Sequence, residues 1–168
     1  LDAGHAYHDY KSGEEINAER KAAEKAKQNY VYRGRNRNLA AAECRRLYDA
    51  QPTVIRLKVP AGETIVVNDL ICGKVEVQSD LVGDPVILRA DGRALYNFAT
   101  VVDDVAMQIT HIVRAKEHLS NTPVQVLVYE ALGYPVPQFA HVAVVNAPKS
   151  KEKLSKRKMK QFMTDEVV

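Results

Sequence analysis

Apolar and polar residues change rhythm twice along this chain. The first fifty residues read as two helical stretches separated by a turn. Ser12 and Glu15 stand three apart, as a capping box requires, and 16–27 is rich in Ala, Glu and Lys with no β-branched run after Ile16. The opening LDAGHAYHDYK reads as though it began in mid-helix, which suggests a piece of a longer chain. At 30–38, YVYRGRNRN sets a glycine among basic and amide side chains and predicts a turn. Asn38 is then placed to cap a second helix, LAAAECRRLYDA, that ends before Pro52.

From residue 52 the period becomes two. In TVIRLKV, Ile55, Leu57 and Val59 share one face while Arg56 and Lys58 take the other, which predicts a half-buried strand. PAG at 60–62 reads as a turn, TIVV as a short strand, NDLICG as another turn and KVEVQ as a further alternating strand. PVILRA then meets Asp91-Gly92, a hairpin signal, before RALYNF. Residues 1–95 are thus expected to form a helix-plus-antiparallel-sheet module.

The second change follows Tyr96. NFATVVDDVAMQ predicts a helix and ITHIVRA an apolar strand. Pro123 suits the first turn of a helix, VQVLVYEALG, which Gly133 stops; QFAHVAVV is the next apolar strand. Strand, helix and strand with near-continuous apolar strands is the pattern of a parallel βαβ unit, so 96–148 is expected to be α/β. Ligands of such sheets sit beyond the carboxyl ends of the strands. Arg114 ends the first strand, and the basic run K-L-S-K-R follows the second.

Composition narrows the classes. Hydrophobic residues make up 46% and charged residues 27%, ordinary for a packed globular chain. The net charge is only +3, but lysine and arginine concentrate at 33–37 and 149–160, patches that attract polyanions. No apolar run is long enough to cross a bilayer, and the N-terminus lacks the apolar core of a signal peptide. Cys44 and Cys72 have no paired spacing, which fits a reducing, cytoplasmic setting with both thiols at least half-buried.

Candidate chemistry gathers in the second half. A guanidinium at a strand end, Arg114, offers a fork matched to a carboxylate; the bland alternative is an ion pair with Glu117 or Asp104. Tyr96, at the junction of the two modules, can donate to an anion or be a half-buried core tyrosine. Glu117 and His118 can meet ribose hydroxyls or simply cap a helix. Asp103-Asp104 reads mostly as helix surface. The five histidines lack metal-site spacing, and no G-x-G-x-x-G or P-loop is present. Two lysines around Ser155 could neutralise charge on a transferring phosphoryl group and its departing pyrophosphate; the plain alternative is a solvated tail.

Taken together, TVIRLKVP, VILRADGRALYNFATVVDD, ITHIVRAKEHLSNTP, VLVYEALGYPVPQFAHV and KLSKR resemble the glutamyl-tRNA synthetases, a family of class I aminoacyl-tRNA synthetases, in family order through nearly the whole chain. The resemblance implies the second half of a Rossmann-type parallel sheet at 96–148. An inserted α+β module at 1–95 would grip the tRNA acceptor end, and 149–168 would hold the K-L-S-K-R loop and the start of a stem-contact region. It implies that Lys153 and Lys156 act catalytically on the ATP phosphates, with Ser155 and Arg157 completing the loop. Glu117 and Val145 would meet ribose and adenine, and Tyr96, Asn97, Arg114 and His118 would hold glutamate. Arg33, Arg35 and Arg37 would touch tRNA phosphates. The implied substrates are L-glutamate, tRNA and ATP with magnesium, in a cytoplasmic enzyme with no membrane partner.

Three departures from the family pattern bear on this. Where many members carry zinc, this chain has Asp9, Lys11, Tyr32 and Asn36, a set that cannot ligate it, so no zinc is expected. Lys116 stands where relatives usually carry an acid. The H-I-G-H half and the anticodon-binding region have no counterpart, so the isolated piece is expected to be inactive. Two rivals remain: a shortened paralogue that glutamylates a modified tRNA base, and a non-catalytic RNA-binding module.

Overall fold

The computed structural model describes residues 1–40, 42–44, 46 and 52–145. Two sheets share one apolar core. The first holds β1 (Ala6–Asp9), β2 (Val54–Leu57) and β5 (Val86–Leu88), antiparallel in the order β1-β2-β5. The second has the order β4-β3-β7-β6, built from β3 (Thr64–Asp69), β4 (Gly73–Gln78), β6 (His111–Ala115) and β7 (Gln138–Val142). β3 and β4 form an antiparallel hairpin, whereas β3 with β7 and β6 with β7 are parallel. The β3–β4 hairpin, which lies in the expected first module, is thereby hydrogen-bonded to the last strand of the second.

The opening residues depart from the mid-helix expectation, since β1 is a strand paired with β2 from Ala6↔Leu57 to Asp9↔Val54. Its apolar alternation is missing because its buried side chains are Tyr7, His8 and Asp9. Each finds a polar partner: the Tyr7 hydroxyl donates to Asp84 at 2.8 Å, His8 meets Thr53 at 2.9 Å, and Asp9 accepts from Arg56 at 2.6 Å. A strand whose burial is satisfied by hydrogen bonds leaves no period-two signature in hydropathy.

Helix α1 (Gly13–Lys25) starts as its sequence dictates. The Glu15 N–H donates to the Ser12 hydroxyl at 3.2 Å, and the Ser12 N–H donates back to the Glu15 carboxylate at 2.9 Å. It buries no residue. The second expected helix is helical at 42–44 and 46, and its remaining residues lie outside those described. Asn38 does not cap it. Asn38 closes the 3₁₀ turn Arg35–Asn38, and the Ala40 carbonyl instead accepts from the Glu43 and Cys44 N–H groups.

The expected hairpin at Asp91-Gly92 closes through a turn in which Gly92 takes φ +81°, but its arms meet only in an isolated Leu88↔Ala94 bridge. Helix α2 (Tyr96–Ala106) follows, then β6, then α3 (Thr122–Leu132), which has Pro123 in its first turn and ends at Gly133 with φ +73°. The βαβ unit β6–α3–β7 is present as its pattern predicts.

Helix α3 packs on α2 and β3 and buries seven residues, Thr122, Pro123, Gln125 and the run 126–129. Its Val126, Leu127, Val128 and Tyr129 join Leu57, Val59, Ile65, Val67, Ile87, Val101 and Phe139 in the core. Burying an aliphatic side chain of this size stabilises by about 1.5–3 kcal/mol. The core therefore ties the two sheets together and makes the carboxyl ends of β3, β7 and β6 a rigid platform. Among the described residues, no helix is long and apolar enough to cross a membrane.

Candidate functional site

The parallel register brings three polar side chains to that platform in a row. Along β3, Ile65, Val67 and Asp69 alternate inward, so Asp69 ends a buried apolar face. On β7, His141 is buried between Ala140 and the strand end, and its register partner on β6 is Arg114. The Asp69 Oδ2 lies 2.5 Å from His141 Nδ1, and both side chains are fully buried. Arg114 Nε donates to His141 Nε2 at 3.0 Å.

Arg114 is otherwise held by neutral oxygens. Its Nη2 donates to Thr122 Oγ1 at 2.9 Å, Gln125 Oε1 at 2.7 Å and the His118 carbonyl at 3.4 Å. Its guanidinium carbon stands 5.4 Å from the Phe139 ring centroid, a cation–π contact. Asp104, one of the two acids considered as its partner, accepts instead from the Tyr129 hydroxyl at 3.2 Å. Thus the guanidinium is oriented by four hydrogen bonds, none of which cancels its charge. Nη1 is left unclaimed among the described residues.

Two more expected pocket residues stand beside it. Tyr96 opens α2 and is 50% exposed, so it is not a core tyrosine; its ring lies 6.3 Å from that of His118. The His118 and Glu117 side chains are 3.7 Å apart, within the 3₁₀ turn Lys116–Asn121 that follows β6. Asn97, next to Tyr96, has the only buried side-chain polar atom without a partner among the described residues, its Oδ1. Such an orphan acceptor costs about 1–3 kcal/mol unless a donor arrives. Val145 is 69% exposed at the end of the described chain. Lys153, Ser155, Lys156 and Arg157 lie outside the described residues.

Asp69 is held ionised by its surroundings. Burial alone would raise its pKa, but hydrogen bonds from the Cys72 N–H, the His141 side chain and N–H, and the Ile71 N–H outweigh burial and keep it far below the ordinary carboxylate range. The sequence reading missed Asp69, His141, Thr122 and Gln125. The signals were present: an acid in phase with Ile65 and Val67, a histidine inside an apolar strand, and a threonine and glutamine three apart on a buried helix face.

The arginines of the basic turn behave differently from one another. Arg33 donates to the carbonyls of Val59 at 2.9 Å and Ser79 at 3.2 Å. Arg37 bonds the buried Asp84 carboxylate at 2.5 Å and also donates to the Val59 carbonyl. Both are committed inside the molecule, where they supply donors to the buried Asp84 carboxylate and to the carbonyls of the buried residues Val59 and Ser79. Arg35 alone of the three is exposed.

The set Asp9, Lys11, Tyr32 and Asn36 does come together but does not fit a metal. Asp9 accepts from Arg56 at 2.6 Å and from the Tyr32 hydroxyl at 2.8 Å, and the Asn36 amide donates to the His8 carbonyl at 3.2 Å. Lysine Nζ lies 5.8 Å from the Tyr32 centroid, a cation where a ligand set would need an electron pair. Of the two cysteines, Cys44 is buried and Cys72 half-buried, and both are free thiols.

The sequence model of the family described as "tRNA synthetases class I (E and Q), catalytic domain" matches residues 1–168. A glutamate–tRNA ligase of Symbiobacterium thermophilum is 47% identical over 167 residues, covering 98% of this chain and 34% of that enzyme. Glutamate–tRNA ligase 1 of Caldanaerobacter subterraneus subsp. tengcongensis is 49% identical over 158 residues, 94% of this chain and 33% of that enzyme. Among solved structures, a glutamate tRNA ligase of Elizabethkingia meningosepticum in complex with its amino acid superposes with a TM-score of 0.79 at 36% identity, covering 94% of this chain and 33% of that one. The chain thus spans about a third of the length of these relatives.

Proposed function

The chain belongs to the class I tRNA synthetases of the glutamate and glutamine type, and from that membership we propose that it serves as the amino-acid-selecting part of a glutamate–tRNA ligase. The reaction is attack of the glutamate α-carboxylate on the α-phosphorus of ATP, giving glutamyl-adenylate and pyrophosphate. The glutamyl group then passes to the 3′-terminal adenosine of tRNA, releasing AMP. ATP enters as its magnesium complex, and the enzyme works in the cytoplasm.

The single observation that carries this reading is the charge state built around Arg114. Its Nε and Nη2 are spent on His141, Thr122, Gln125 and a carbonyl, all neutral acceptors. A carboxylate arriving at Nη1 therefore meets an uncompensated cation on a half-buried platform, where an ion pair is stronger than in bulk water. His118, whose carbonyl accepts from Arg114, stands beside Tyr96 at 6.3 Å between ring centroids.

The remaining assignments follow the family. Residues 1–95 serve as the acceptor-gripping module, 96–148 as the second Rossmann half and 149–168 as the phosphate loop. Glu117 and Val145 meet the nucleoside, and Lys153, Ser155, Lys156 and Arg157 meet the phosphates. Because Arg33 and Arg37 are engaged internally, Arg35 is the arginine of that turn that reaches tRNA phosphate.

The test is glutamate-dependent ATP–pyrophosphate exchange by the intact enzyme, together with the site of attachment on tRNA. An alkali-labile ester on the 3′-terminal ribose supports the ligase reading. Attachment to an internal base would replace it with the shortened-paralogue reading, and RNA binding without any exchange would leave only the binding module.

A further inference from the structure

We propose that Asp69 and His141 act as a positioning pair that fixes the direction of the Arg114 guanidinium while leaving its charge unspent. This rests on the reading of Arg114 as the group that binds the substrate's side-chain carboxylate.

Arg114 Nε–H can only donate, and it points at His141 Nε2 from 3.0 Å. That nitrogen must therefore present its lone pair. The single imidazole proton then belongs on Nδ1, where Asp69 Oδ2 stands 2.5 Å away to accept it. Asp69 is itself anchored, since its Oδ1 takes the N–H groups of Ile71 at 3.0 Å and Cys72 at 2.7 Å, while the His141 N–H reaches both oxygens at 3.1–3.2 Å. Both side chains are fully buried, so bulk water does not compete for these bonds, and the Thr122 hydroxyl, 3.2 Å from His141 Nε2, can donate to the same lone pair. In the alternative tautomer two N–H groups would face each other between His141 and Arg114. The Nε bond would be lost and the guanidinium would turn away from the crevice.

The neutral ring between acid and arginine has a purpose in this arrangement. A carboxylate touching Arg114 directly would orient it equally well but would neutralise the charge the substrate needs. The imidazole passes on the geometry and withholds most of the negative charge. Outer partners of this kind orient a functional group without touching the substrate.

Asp69→Asn tests this in the intact enzyme. The asparagine oxygen must stay with the Ile71 and Cys72 N–H groups, so its amide NH₂ faces His141 Nδ1 and donates to it. That forces the proton onto Nε2. The glutamate KM should rise at least about tenfold, the worth of one lost hydrogen bond to a charged group, while the ATP KM stays at the wild-type value. His141→Asn, which keeps a donor toward Asp69 but loses the acceptor for Arg114, should behave in the same way. His141→Gln, whose amide oxygen can reach the Nε2 position, should recover most of the affinity. Nitrogen-15 NMR of the His141 ring should report the Nδ1–H tautomer in the wild type and the Nε2–H tautomer in Asp69→Asn.

A wild-type glutamate KM in both Asp69→Asn and His141→Asn would overturn the proposal, as would an Nε2–H tautomer in the unaltered enzyme. If Arg114→Ala raises the glutamate KM and these two variants do not, the positioning role alone falls. If Arg114→Ala also leaves it unchanged, the carboxylate-binding reading falls with it. Should Asp69→Asn fail to fold, the contrast between His141→Asn and His141→Gln still decides.

Discussion

The molecule buries acids in two places and uses them in opposite ways. In the first sheet, Asp9 meets Arg56 at 2.6 Å and Asp84 meets Arg37 at 2.5 Å, so each negative charge is cancelled by a direct cation. Tyr7 and Tyr32 complete these clusters, with burial first and their carboxylate partners second driving both phenol pKa values well above the ordinary range. In the second sheet the acid, Asp69, contacts a histidine, and the nearest arginine is one residue further on. Direct pairing makes a structural clamp with no charge left to offer. Indirect pairing leaves a cation that is held in place by neutral acceptors with its charge uncompensated among the described residues. The same residue types yield a clamp in one place and the proposed carboxylate site in the other, decided by whether a neutral ring stands between them.

Asp84→Ala leaves the half-buried Arg37 and the buried Tyr7 hydroxyl without their acceptor and should destabilise the intact protein by about 3–5 kcal/mol, read by chemical denaturation. A loss near zero would mean the clamp contributes nothing. Next in size is Gly34→Ala. A Cβ there would lie 2.6 Å from the Tyr7 hydroxyl oxygen, and Tyr7 is pinned by Asp84 and cannot yield, so a cost of about 1–3 kcal/mol is expected although φ suits alanine.

The folded state holds Asp69 ionised to far lower pH than the unfolded chain, whose aspartates titrate near about 3.9. Its contribution is therefore full above about pH 4 and drains away as pH falls further, because the unfolded state takes up the proton first. The decline of the melting temperature below that pH should be shallower in Asp69→Asn than in the wild type. Smallest of all is Arg35→Ala, which should alter stability by less than about 0.5 kcal/mol while weakening tRNA binding, whereas Arg37→Ala should chiefly lower stability. Equal effects on stability would erase the distinction drawn between the two arginines.

Much of this was legible in the sequence because it obeys local rules. The capping box at Ser12, the Pro123 start and Gly133 stop, and the apolar strands of the βαβ unit each depend on neighbours a few residues apart. β1 was not legible, since its burial is satisfied by Asp84, Thr53 and Arg56, which lie 45 to 77 residues away in the chain. The roles of Arg33 and Arg37 were hidden for the same reason: a basic turn looks identical whether its partners are phosphates or a buried Asp84. Arg114 stood out by its place at a strand end. The pair that orients it did not, because Asp69 and His141 are 72 residues apart and meet only through the parallel register of β3 and β7.

If Arg114 keeps an uncompensated charge for a carboxylate, that charge sets the preference of the intact enzyme for glutamate over its neutral isostere glutamine in ATP–pyrophosphate exchange. Arg114→Met should raise the glutamate KM by at least about 30-fold, leave glutamine use nearly unchanged and so erase the preference. An Arg114→Met enzyme that still prefers glutamate by the wild-type margin would contradict the account.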